Sequence, residues 1–451
     1  MKKFSKYLLL LLTTGLVLSA VKCGGSTTDN TTADNTPVKI TKEPITLEYW
    51  RLWDDSSLFD EYIKEYQDTH PNISIEVKKI EIKPGYDVYA YQRDVIKAIA
   101  DGAGPDMFMI QNTWLPYQIN QIKEMPGGLM TTKEYKDIFP TVVQQDFIDN
   151  DKIYGVPYSI DNLILYYNTD IFGEKKIKTP PKTLQDLVSL VPQLTERNSK
   201  GQIIRSAIPL GGTDGIPRAS DILSALMMQY GAEMTSTDRK TATFNLPVPS
   251  SNPPFLAGQE ALSYYTQFAN SASSVYTYTD DKDSAGNRIF PSDVQAFMEG
   301  KTAMMLNYSY QIANIRKFAP KLRFETTVIP QRQIQNPITV ANYWGETVSK
   351  NSAHPNEAWD FIKFMSTRSV QSRFTKSAGY ISARKDLQES MTGRRYYGPV
   401  ATQISYAKSW YRKNTAEVEA IFTRMITNVT KDKLAPSVAI DSAIRDINAL
   451  E

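Results

Sequence analysis

The chain has 451 residues, more than one hydrophobic core usually serves, so two domains are expected. Lys plus Arg (51) nearly balances Asp plus Glu (49), which removes any electrostatic argument for nucleic acid. One Cys and two His exclude an internal disulfide and a zinc site of Cys and His ligands, and no cofactor or metal is expected. The 26 Tyr, 17 Phe and 6 Trp are more informative, because aromatic rings with polar tips suit wet binding clefts.

The N-terminus reads MKKFSKYLLLLLTTGLVLSAVKCGG: lysines, an apolar run from Tyr7 to Val21, then the single cysteine. A basic start with a short apolar run is a secretory signal, since a spanning helix needs ~20 apolar residues. The cysteine that closes it resembles a bacterial lipoprotein signal, which implies lipidation of Cys23 and residues 1–23 as the signal. Lys22 departs from that pattern, standing where such signals carry Gly, Ala or Ser, and a secreted protein cut elsewhere or an uncleaved anchor are the alternatives. Residues 24–43 are small, polar and aperiodic and read as a flexible tether, which would hang a folded body from a membrane face.

In ITLEYWRLW, Ile45, Leu47 and Tyr49 alternate with Thr46, Glu48 and Trp50, the signature of a strand. LFDEYIKEYQDTH follows with Leu58, Phe59, Tyr62, Ile63 and Tyr66 on one helical face, and ISIEVKKIEI alternates again. Strand, helix, strand in that order predicts a parallel sheet with crossover helices, an α/β unit of the doubly wound kind. GAGPD at 102–106 ends a helix and enters a strand, the reverse of a phosphate-binding glycine loop, so it reads as a turn. IYGVPYSIDNLILYYNTDIF at 153–172 holds two apolar runs around a polar knot, Ser159 to Asn162. Further helices are expected at PKTLQDLVSLVPQL, SDILSALMMQYG, SDVQAFMEG and HPNEAWDFIKFMS, and strands at TAMMLNYSY, FETTVIP and VANYWGETVS. His70 and His354 both precede Pro-Asn and mark turns.

Six stretches in this order resemble the extracellular sugar-binding proteins of ABC importers, the maltodextrin-binding group, from about Ile45 to the C-terminus. They are WRLWDD, DGAGPDMFMIQNTWL, YGVPYSIDNLILYYNTDIF with PPKTLQDL, AFMEGKTAMMLNYSYQIANI, ETVSKNSAHPNEAWDFIKFM and GYISARKDL. The resemblance implies a two-lobe, periplasmic-binding-protein-like α/β fold with a hinge and a ligand cleft between the lobes. Lobe 1 is expected to comprise 44–157 and 294–341, and lobe 2 to comprise 158–293 and 342–451. It further implies a binding protein, not an enzyme, that works as a monomer, captures a carbohydrate outside the cytoplasm and delivers it to permease subunits. Among the site residues, Asp161 matches a sugar-contacting glutamate of the family and Tyr310 a stacking tryptophan.

Ligands of open α/β sheets sit beyond the carboxyl ends of strands. Trp53, Asp54, Asp55, Asn112, Trp114, Tyr308 and Tyr310 fall at such ends, Asp161 and Asn162 in the polar knot, and Trp344, Gly345 and Glu346 at a second crossing. Tyr158, Arg384 and Trp410 complete the candidates. Trp344 is read as a flat platform for a sugar's C–H face, Gly345 as room for close backbone approach, and Glu346 as an acceptor of hydroxyl bonds. Two competing readings use the same residues. Asp54, Asp161 and Glu346 could supply the carboxylate pair of a glycosidase, and the cleft could belong to a surface glycan-binding protein without a transporter.

Overall fold

The computed structural model describes residues 37–53, 56–249 and 251–450. The signal, Cys23 and the tether up to residue 36 lie outside them, as do Asp54 and Asp55. The last part of the expected tether is bound to the folded body: Thr41 N–H donates to Glu357 at 2.7 Å, and Asn72 Nδ2 donates to the carbonyls of Thr41 and Glu43.

Strand β1 (Ile45–Leu52) pairs in parallel with β2 (Ile73–Ile80) on one side and β3 (Met107–Gln111) on the other. Helix α1 (Ser56–Thr69) makes the first crossover and buries Phe59, Tyr62, Ile63 and Tyr66. Helix α2 (Val88–Ala100) makes the second, capped by the Asp87 carboxylate, which accepts from Ala90 N–H at 2.8 Å. A second, antiparallel sheet has β4 (Ile164–Asn168) at its centre, flanked by β5 (Met304–Asn307) and β6 (Phe324–Val328). One core gathers Tyr49, Phe108, Trp359 and Phe361; the other gathers Leu223, Phe244, Phe268 and Phe422.

The expected division of the returning segments is corrected by strand pairing. Strand β7 (Trp344–Ser349) joins the first sheet, antiparallel to β3, with Trp344 opposite Gln111 and Glu346 opposite Met109. The segment from β7 to about Ile404 therefore belongs with β1–β3, and the helix at Pro355–Met365 packs on β7. Residues 294–341 belong with the second sheet through β5 and β6, whereas Trp410 to Ile447 fill the second core. The sequence pattern announces a strand at 344–349 but not its partner, because every residue from Gly345 to Ser349 is buried and either sheet satisfies that pattern.

Three crossings between the lobes run side by side. Leu163 N–H donates to Val340 O at 3.0 Å, Asn342 N–H to Asp161 O at 3.0 Å, and Ala341 N–H to Lys408 O at 2.9 Å. Backbone bonds among all three crossings make one hinge from segments distant in sequence.

Candidate functional site

Adjacent residues of a strand point to opposite faces. Where β7 begins, Trp344 turns its ring to one face and Tyr343 sends its hydroxyl to the other, donating to Asp146 at 2.5 Å. On the Trp344 face three tryptophans meet. Trp344 contacts Trp53 edge-to-face at 5.0 Å and Trp114 at 4.9 Å. Trp53, at the end of β1, has a positive φ of 47° and is 53% exposed, so its ring stands out from the lobe. Trp114 is buried with no hydrogen-bond partner for its indole N–H, and Tyr89 lies 6.0 Å from it.

The second lobe faces this group with charges. Helix α3 (Ala219–Tyr230) carries one charged residue, Asp221, whose Oδ1 takes Arg412 Nη2 at 3.4 Å; Arg218 Nη1 approaches Oδ2 at 3.8 Å. Glu419 lies 3.6 Å from Arg412 and accepts the Tyr89 hydroxyl at 2.7 Å, a bond between lobes. Burial pushes the Glu419 carboxyl up, and the Asp221 charge acts in the same direction. Thr113 and Thr415 make a second bond between lobes at 2.9 Å. Tyr308 and Tyr310 stack at 6.3 Å, and Tyr310 is 41% exposed. Among the described residues, three buried donors here lack hydrogen-bond partners, Trp114 Nε1, Arg218 Nε and Arg412 Nε, while the Tyr308 hydroxyl is turned toward the Asp221 carboxylate. Buried polar groups are nearly always satisfied, so such a concentration marks a place where another molecule supplies the partners.

On the other face of the crossing, a cavity of about 480 Å³ opens between the lobes. Asn112, Asp146 and Asp149 line it from the first lobe, and Met234, Arg239 and Ser409 from the second. Burial pushes Asp146 up to about 6, against hydrogen bonds from Ser409, Tyr343 and Asn112 and the charge of Arg239.

Several expected site residues have other work. Glu346 is 2% exposed, pairs with Arg51 at 3.0 Å and accepts the Tyr49 hydroxyl at 2.5 Å, so it neutralises a buried cation in the first core. Gly345 makes room for a ring and not for a ligand: a Cβ there would lie 2.5 Å from Phe147. Arg384 is engaged by Asp386 and the Ser366 carbonyl, and Tyr158 is packed between Phe59 and Phe374. Asn162 is fully buried in the hinge, bonded to Val400 O and Gln403. Asn112 donates to Asp146, and Trp410 packs on Phe422 and Phe244 while an edge borders the interlobe cavity. Asp161 accepts from Ser309 N–H and hydroxyl at 2.9 Å and from Asn162 N–H at 2.8 Å, with burial raising it to about 7. Trp53 and Tyr310 are exposed where the lobes face each other, Trp344 is half-buried beside Trp53, and Trp114 and Tyr308 are buried behind them. Tyr89, Arg218, Asp221, Arg412 and Glu419 were not anticipated; the one signal was a lone carboxylate, Asp221, within the apolar helix ASDILSALMMQY.

The fold and cleft define an extracytoplasmic binding protein. The chain belongs to the bacterial extracellular solute-binding proteins, whose family model matches residues 61–396. An uncharacterized ABC transporter extracellular-binding protein of Pyrococcus horikoshii is 23% identical over 97% of this chain and 89% of its own length. The multiple sugar-binding protein of Streptococcus mutans is 22% identical over 77% of each chain. Among solved structures, the cyclic alpha-maltosyl-1,6-maltose binding protein of Arthrobacter globiformis superposes with a TM-score of 0.71 at 18% identity, covering 90% of this chain and 98% of that one. A cyclo/maltodextrin-binding protein complexed with maltotetraose gives 0.70 at 15% identity, covering 90% and 97%. No helix among the described residues is long and apolar enough to cross a membrane.

Proposed function

We propose that this protein captures a carbohydrate between its lobes and delivers it to the membrane subunits of an ABC importer. The observation that carries the reading is the aromatic group of Trp53, Trp344 and Trp114 facing buried donors that lack partners among the described residues. A sugar has apolar C–H faces edged by hydroxyls, so it needs flat rings on one side and hydrogen-bonding groups on the other. The sugars named for the Streptococcus mutans relative and the Arthrobacter globiformis structure support the same class of ligand. Ligand contacts to both lobes would favour the closed arrangement, the state a permease reads. The protein acts as a monomer tethered through a lipid on Cys23, and membrane fractionation of Cys23→Ser tests the anchor: it should leave the membrane fraction. No hydrolysis is required, since Glu346 is committed to Arg51 and Asp161 to the amides around Ser309.

A thermal-shift screen over mono- and oligosaccharides tests the binding, because a ligand held only by the folded protein raises its melting temperature. At least one carbohydrate should raise it, and Trp344→Ala should reduce that rise at equal ligand concentration. No shift with any carbohydrate overturns the reading.

A further inference from the structure

We propose that the ligand carries an anionic group, the carboxylate of a uronic-acid-type sugar, and that Arg218 receives it. The inference rests on the carbohydrate reading above and adds to it the ligand's charge. Arg218 stands at the start of α3, beside Tyr308, whose ring centre is 5.8 Å from its guanidinium. Its side chain is 29% exposed, so it is reachable from the cleft. Among the described residues it makes no side-chain hydrogen bond, and its one ion pair there is the 3.8 Å approach to Asp221. That carboxylate is shared: its other oxygen takes Arg412 at 3.4 Å, and Arg412 has Glu419 at 3.6 Å as well. Arg412 therefore has two carboxylates, and Arg218 has part of one.

The other described carboxylates nearby are already engaged. Glu419 is engaged by Arg412 at 3.6 Å and by the Tyr89 hydroxyl. Asp293 accepts from Val294 N–H at 2.7 Å and from Asn307, and the Arg218 charge acts on it without a direct ion pair. Guanidinium cannot shed its charge, and its planar fork matches the two oxygens of a carboxylate. The atoms without partners point the same way. Among the described residues, Trp114 Nε1, Arg218 Nε and Arg412 Nε are unpartnered and can only donate, while the Tyr308 hydroxyl has the Asp221 carboxylate beside it. A neutral sugar brings hydroxyl hydrogens that need acceptors. A carboxylate brings acceptors alone, which is what a donor-rich cleft lacks.

The test pairs each acidic oligosaccharide with its own neutral methyl ester: glucuronate-, galacturonate- and mannuronate-containing di- and trisaccharides, titrated calorimetrically into the full chain. The expected result is that at least one acid binds about tenfold or more tightly than its ester, with affinity falling as salt rises. Arg218→Gln should erase the acid-over-ester preference, and Arg218→Lys should retain part of it. Neutral gluco- or manno-oligosaccharides binding while every acid fails overturns the anionic ligand and leaves the carbohydrate reading standing. An acid preference that survives Arg218→Gln overturns the role of Arg218. Failure of every sugar, acidic and neutral, overturns both readings. If Arg218→Gln does not fold, the acid-against-ester comparison on the unaltered protein still decides the ligand's charge.

Discussion

Removing one partner of a buried ion pair is strongly destabilising, at a cost of about 3–5 kcal/mol. Arg51 and Glu346 stand in that relation, with side chains 8% and 3% exposed and the guanidinium 3.6 Å above the Phe59 ring. Glu346→Gln keeps the shape but not the charge, so urea unfolding should show a loss of about 3 kcal/mol. Ligand affinity of the protein that remains folded should hold. A variant of full stability but weakened binding would put Glu346 back in the cleft. Its neighbour gives an independent check. Alanine at Gly345 would set a Cβ 2.5 Å from Phe147, and Gly155 presses the same ring from another side, so the ring has no easy retreat. Gly345→Ala is expected to destabilise by about 1–3 kcal/mol, the usual range for overpacking a core. Unfolding at an unchanged urea midpoint would show that the ring gives way.

At the scale of elements, Asp146 binds together three segments that meet only in the folded chain. It accepts from Asn112 beyond β3 at 2.9 Å, from Tyr343 at the mouth of β7 at 2.5 Å, and from Ser409 in the third crossing. Its carboxyl sits at about 6, above the ordinary 3.8, so the folded protein holds this proton more tightly than the unfolded chain does. The stability it contributes is therefore full below about pH 4 and is lost as pH rises through about 6. Asp293, also raised to about 6, adds a slope of the same sign. Asp146→Asn should accordingly reduce, without abolishing, the fall in melting temperature between pH 4 and pH 6. An unchanged slope would mean that Asp146 does not titrate there. Elements of this kind also mark how far the sequence could be read. The strands and helices of the first lobe were legible because alternation and 3.6-residue periodicity are local properties, visible at Ile45–Tyr49 and Phe59–Tyr66. The partner of β7 was not, since pairing with β3 joins residues more than two hundred positions apart. The same limit decided the site. Trp-Gly-Glu announced an unusual strand, yet only Trp344 faces the cleft, and Arg218, Asp221 and Arg412 gain meaning only when the lobes meet.

Across the whole molecule, the side-by-side crossings leave closure to contacts away from the hinge. Tyr89 to Glu419 and Thr113 to Thr415 are two such contacts, both direct bonds between lobes. A ligand that binds only the closed form has an apparent affinity reduced by the fraction of protein that is closed. Tyr89→Phe removes the bond to Glu419 while keeping the ring beside Trp114, so the aromatic surface offered to a ligand is preserved. A hydrogen bond to a charged group contributes about 1.5–3 kcal/mol, enough to shift the closed-to-open ratio about tenfold or more. In small-angle scattering, ligand-free Tyr89→Phe should show a larger radius of gyration than the unaltered protein, and saturating ligand should bring the two together. Affinity should fall by up to about tenfold, the same ratio read as binding. A drop in affinity with no change in radius would make Tyr89 a direct ligand contact, because its hydroxyl would then matter only once the cleft is filled. No change in either quantity would remove the Tyr89 bond from the closing mechanism and leave Thr113 and Thr415 to hold the lobes.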